Sequence, residues 1–193
     1  MMAAATVVAQ RDFVGGDSIV RDQPGDVPAA QMSHGTATWS LIAANAPGRL
    51  FGEANLARFL LAKAEYTGTE TRVEEDHWVA AVEWADSIGV DIISSSLGYL
   101  TFDNGFSYTY AQLNGDIAVT SVAADSAAKR GILVVVSVGN SGPGLRTLGT
   151  PADADSTSVH GLRHRCSDFR EKSLAIGTGA PYKATVGGGL WVV

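Results

Sequence analysis

Ile132-Leu133-Val134-Val135-Val136-Ser137-Val138 is an almost unbroken apolar run rich in β-branched residues. Without polar alternation such a strand has no solvent face. It reads as buried on both faces, the condition of strands in a parallel sheet covered by helices. The chain before it supplies matching elements. Arg58 to Ala64 reads as one strand and Val90 to Ser96 as another. Between them, Val73 to Ile88 sets Trp78, Ala81, Val82, Ala85 and Ile88 at helical spacing, with Glu74, Glu75, Glu83 and Asp86 on the other side and Gly89 as the stop. Val119, Val122, Ala123 and Ala127 mark a further helix, with Lys129 and Arg130 in its last turn and Gly131 beyond it. Upstream, Ser33 to Ala44 carries no acidic or basic group apart from His34 and reads as a buried helix that Pro47-Gly48 ends. Helix and strand in alternation predict an α/β fold of three layers, helix/parallel sheet/helix.

Composition narrows the function classes. With 193 residues, 46% of them hydrophobic, the chain can bury a sizeable core. A net charge of -6 leaves no basic patch to displace counterions from phosphate, so nucleic acid is not an expected partner. No segment is long enough to span a bilayer, and the short apolar run at the start has no positive residue ahead of it, so no signal peptide is read there. Arg11 to Gln31 looks like a loop, with Asp12, Asp17, Asp22 and Asp26 as solvated turn residues. Thr101 to Gly115 reads as an aromatic-rich insertion packed down on the body, and His77 as a surface residue. Composition changes abruptly after Ser156, which divides the chain into 1–156 and a divergent tail, 157–193. His160, His164 and Cys166 in that tail offer three metal donors with no fourth, and no metal site is expected there.

Chemistry in an open parallel sheet collects beyond the carboxyl ends of its strands. His34 opens its helix where the core meets solvent. The partial positive charge of a helix N-terminus disfavours the imidazolium, which leaves the ring able to accept a proton. Ser96-Leu97-Gly98 follows one strand and could hydrogen-bond an extended ligand through its backbone. Gly139-Asn140 follows another. Gly139 permits a tight turn, and the Asn140 amide could hold a developing oxyanion. The glycine-rich run Gly139 to Gly144 after a strand also permits a nucleotide-binding loop, although Leu145 to Asp155 lacks the helical period such a loop needs.

His34-Gly35-Thr36 opening a helix, Ser96-Leu97-Gly98 after a strand and Gly139-Asn140 after a buried strand, in that order, together resemble the subtilisin-like serine proteases, the subtilase family. The resemblance covers about Arg11 to Ser156. It implies a subtilisin-like fold, here a partial catalytic domain, and serine endopeptidase chemistry on polypeptide substrates. His34 would be the general base, Asn140 the oxyanion donor, and Ser96, Leu97, Gly98 and Gly139 the substrate-binding residues. No cofactor is implied beyond a structural calcium ion, for which no site is identified, and relatives of this kind are mostly secreted. The family's chain order is Asp, His, Ser. No Asp-Thr-Gly or Asp-Ser-Gly motif precedes His34, and Asp12, in Arg-Asp-Phe-Val-Gly-Gly, looks like the segment after that strand. The serine motif is approached only by Gly177-Thr178-Gly179-Ala180-Pro181, with Gly179 in the serine's place. The expectation is a chain that carries the base, the oxyanion donor and one wall of a cleft, with little or no peptidase activity by itself. A non-catalytic peptide-binding relative of the protease fold is the alternative.

Overall fold

A computed structural model describes residues 5–26, 28, 31–140, 147–160 and 189–192. In chain order its elements are β1 (Thr6–Asp12), α1 (Ser33–Ala43), β2 (Asn45–Ala46), β3 (Leu50–Phe51), β4 (Arg58–Lys63), α2 (Val73–Ile88), β5 (Ile92–Ser95), α3 (Val119–Lys129), β6 (Leu133–Ser137), β7 (Ser158–His160) and β8 (Gly189–Val192). Six strands form one sheet in the order β1-β4-β8-β5-β6-β7, and every pair in it is parallel. β2 and β3 make a small antiparallel pair beside α1.

Alternation along the strands divides the core between two faces of the sheet. Leu60, Ala62, Ile93, Val134 and Val136 pack with Trp78, Ala81, Val82 and Ala85 of α2 and with Ala124 and Ala127 of α3. Phe59 packs on the other face with Ala43, and Trp39, Ile42, Leu61 and Ile92 close around them. The result is the three-layer α/β arrangement, with α1 on one side and α2 and α3 on the other. α2 has the bounds its periodicity predicts. Glu74, Glu75 and Asp76 complement the dipole in its first turn. Gly89 ends it at φ 88°, a left-handed conformation that a side chain rarely adopts.

Several expectations are corrected. β1 lies in a stretch read as an apolar run followed by a loop. As an edge strand it buries only Asp12 fully, and its exposed valines and polar residues give no core pattern. α1 is not buried on all sides: only Ala43 is buried, and Leu41 is 67% exposed, because the described residues pack against its sheet-facing side alone. β6 is buried on one face rather than both, since Val134 and Val136 face α3 while Leu133 is 42% exposed on the thinly covered α1 side. Glu74 and Glu75 are not on a polar side of α2, since both are buried. Glu74 lies four residues before Trp78, on the same inward stripe. The insertion packs down as expected, with Tyr99, Phe102, Phe106 and Tyr108 forming a ring cluster.

Candidate active site at the carboxyl edge of the sheet

Parallel pairing sends the carboxyl ends of β1, β4, β5 and β6 to one edge. At that edge Asp12, the last residue of β1, pairs in register with Lys63, the last of β4. Asp12 is 1% exposed and is not a solvated turn residue. Its Oδ1 accepts the backbone N–H of Val14 and of Gly15, both at 2.8 Å, and its Oδ2 accepts Lys63 Nζ at 2.9 Å. A Cβ added at Gly15 would lie 3.0 Å from Asp12 Oδ2, so the turn closes tightly on the carboxylate. Asp12 is thereby committed to holding the strand ends together.

Two residues past β4 stands Glu65, which the sequence reading did not single out. Its Oε2 is 4.0 Å from Nδ1 of His34, whose half-exposed ring sits on the first turn of α1. Asp22 fixes the entry to that helix by accepting the Met32 N–H at 3.0 Å. His34, Gly35, Trp39, Lys63, Glu65 and Leu97 are among the residues that line a cavity of about 620 Å³. Helix α1 and strands β1 and β4 therefore meet the end of β5 around one space.

Ser95 is the last residue of β5 in a ladder, opposite Val136. Beyond it, Ser96-Leu97-Gly98 belongs to no ladder and is held at both ends. On one side the buried Ser95 Oγ accepts Trp78 Nε1 at 2.9 Å and the Leu97 N–H at 3.4 Å. On the other, Tyr99 exchanges backbone hydrogen bonds of 2.8 and 2.9 Å with Thr150. The Thr150 hydroxyl lies 2.6 Å from those of Thr120 and Ser121 on α3, and Ser121 donates to Asp153 Oδ1 at 2.6 Å. Gly149 is needed here, because a Cβ would stand 3.0 Å from the Tyr99 carbonyl oxygen.

β6 runs in register with β5, so Gly139 and Asn140 reach the same edge. Gly139 takes φ 83° and donates its N–H to Ser137 Oγ at 3.1 Å. Asn140 is exposed. Of the residues singled out from sequence, His34 and Leu97 share the cavity wall, while Ser96, Gly98, Gly139 and Asn140 lie along the same edge outside that lining. Gly179, His164 and Cys166 lie outside the described residues, as does the side chain of His160. Residues 147–157 form turns and no helix, which gives a nucleotide loop no described helix to open.

Negative charge gathers beside His34. Burial raises the Glu65 carboxyl above its ordinary range, against the opposing pull of His34. Burial also raises Glu70, with Glu65 and Asp103 adding to the effect. Glu74 is pushed up to about 7, mainly by burial, although the Thr71 N–H opposes the shift. Next to it, Glu75 pairs with Arg72 at 3.1 Å and accepts the Tyr108 hydroxyl at 2.7 Å. Burial and that bond push the Tyr108 phenol up to about 12. One oxygen from each of Glu65, Glu70 and Glu74 lies within 4.8 Å of the others, and these three could hold a cation.

The family model described as "Subtilase family" matches residues 12–181. The chain is 33% identical over 141 residues to the minor extracellular protease Vpr of Bacillus subtilis (strain 168), covering 72% of this chain and 16% of that protein. It is 31% identical over 159 residues to subtilisin DY of Bacillus licheniformis, covering 80% and 49%. It is 36% identical over 137 residues to the subtilisin-like protease SBT4.15 of Arabidopsis thaliana, covering 66% and 16%. The chain thus spans half or less of the length of these curated relatives.

Proposed function

The chain belongs to the subtilase family, and from that premise we propose that it carries part of a serine endopeptidase site: His34 as general base, Asn140 as oxyanion donor, and Ser96, Leu97, Gly98 and Gly139 as substrate-binding residues. The observation that carries this reading is the cavity that His34 and Leu97 line together at the carboxyl edge of the sheet.

The chemistry is acyl transfer. A serine hydroxyl gives its proton to His34 as its oxygen bonds to the peptide carbonyl carbon, and the carbonyl oxygen becomes an oxyanion. The Asn140 amide is the donor for that oxyanion. Collapse of the tetrahedral intermediate breaks the C–N bond, and His34 returns the proton to the departing amine. Glu65 is the carboxylate within 4.0 Å of the His34 ring among the described residues, on the nitrogen that must be oriented if the other is to take the proton. An extended polypeptide adds along Ser96-Leu97-Gly98, whose backbone lies outside the ladders. Extracellular action fits a relative named an extracellular protease.

The serine motif is approached only by Gly177-Thr178-Gly179-Ala180-Pro181, with Gly179 in the serine's place, and on that ground the 193-residue chain by itself is expected to show little or no turnover. Incubating the purified chain with casein and a fluorophosphonate probe tests this directly. The expected result is intact casein and no labelled serine. A covalently labelled serine would show that the nucleophile lies within reach of His34 and would overturn the inactive reading.

A further inference from the structure

We propose that Glu65 and Glu70, in the loop between β4 and α2, and Glu74, in the first turn of α2, together bind a divalent cation of calcium type. One carboxylate oxygen from each of the three lies within 4.8 Å of the others. Oxygens bonded to one calcium ion at 2.3–2.6 Å can stand up to about 5 Å apart, so a single ion can reach all three.

Glu74 supplies the second observation. It is 1% exposed. Its Oε1 accepts the Thr71 N–H at 3.0 Å, while its Oε2 is buried with no hydrogen-bond partner. A buried carboxylate oxygen left unpaired is costly, and a coordinated cation would satisfy it.

Among the described residues the His34 ring, 4.0 Å from Glu65, is the basic group within ion-pair distance of the three. The ion pairs formed by lysine and arginine among the described residues join Lys63 to Asp12, Arg72 to Glu75 and Arg130 to Asp86, and none reaches Glu65, Glu70 or Glu74. Arg72, adjacent in sequence, also lies over the Phe106 ring at 4.9 Å. Asp103 adds to the negative charge and ties the loop down. Its Oδ2 accepts the Glu70 N–H at 2.9 Å, and its own N–H donates to the Glu70 carbonyl at 2.9 Å. Three hard oxygen donors without sulfur or imidazole select calcium or magnesium over zinc or copper. Magnesium usually keeps several waters and takes one or two carboxylates, so a set of three carboxylates favours calcium.

This assignment does not depend on the peptidase reading, since the ligand set stands whether or not His34 acts as a base. The test uses the full 193-residue chain stripped of metal and titrated with calcium chloride by calorimetry, with magnesium chloride in parallel. Binding of one calcium ion per chain, with a raised unfolding temperature, is expected. Glu74→Gln and Glu70→Gln should each weaken calcium binding at least tenfold. Glu83→Gln, an exposed glutamate on the same helix, should leave it unchanged. Glu70 is only half-buried, so Glu70→Gln keeps the test decisive if the Glu74 variant does not fold. No binding at about 10 mM calcium, above the range of the weakest extracellular calcium modules, would overturn the proposal. So would affinity unchanged in Glu70→Gln, or magnesium bound more tightly than calcium.

Discussion

Lys63→Met probes the joint that holds the carboxyl edge together. The side chains of Lys63 and Asp12 are 13% and 1% exposed and meet at 2.9 Å. Removing one partner of a buried pair leaves the other charge uncompensated and typically costs about 3–5 kcal/mol. Asp12 keeps two backbone N–H donors, from Val14 and Gly15, after the change. That retained hydrogen bonding places the expected loss at the low end, about 3 kcal/mol. With an m-value of about 2 kcal/mol/M, the urea midpoint should fall by about 1.5 M. The assay is urea unfolding followed by tryptophan fluorescence, on Lys63→Met, Asp12→Asn and the double variant. Because the two groups touch, the double variant should lose less than the sum of the single losses, by about 1–3 kcal/mol. Additive losses, or a Lys63→Met chain within about 0.5 kcal/mol of the parent, the range of ordinary surface changes, would refute the assignment of Asp12 to a buried ion pair.

Other expectations concern the layers around that joint. Burial raises Glu74 from an ordinary 4.5 to about 7, so the folded chain holds a proton that the unfolded chain has released over that interval. The stability Glu74 contributes is therefore full below pH 4.5 and lost as pH rises through about 7. The change is on the order of 3 kcal/mol; in chelator, Glu74→Gln should flatten that part of the stability profile, and an unchanged slope would contradict it. Phe59→Ala removes a fully buried ring that meets Trp39 of α1 edge-on at 5.7 Å. A loss of about 3–5 kcal/mol is expected, with faster amide exchange in α1 as the check on where the damage falls. Trp78→Phe deletes the indole donor to Ser95, with a loss of about 1–2 kcal/mol and a displaced Leu97 amide resonance.

Local pattern made some of this legible. α2 was readable to its ends because its apolar stripe is long and Gly89 stops it. The strand at Arg58 and the helix opened by His34 were readable for similar reasons of pattern and punctuation. What failed depended on distant partners. Asp12 looks like a turn residue until Lys63, 51 residues away, is folded against it. Glu74 falls on the inward stripe with Trp78, but its charge argued for the outside, and only the surrounding loop explains its burial. β1 carries polar residues because an edge strand needs no apolar face. β8 sits between β4 and β5 although it comes from the far end of the chain, a placement that no local window encodes. The site followed the same rule. His34, Ser96 to Gly98 and Gly139-Asn140 were visible as motifs, whereas Glu65 has no motif and is defined only by its distance to His34.

The central claim is that His34, the Ser96 to Gly98 segment and Asn140 face one peptide-binding cleft. Titrating the isotope-labelled chain with an extended casein-derived peptide, and following these residues by NMR, tests it most directly. The His34 ring, the Gly98 amide and the Asn140 side-chain amide should shift together and yield one Kd. Independent responses from His34 and Asn140, or shifts confined to residues away from the carboxyl edge, would contradict it.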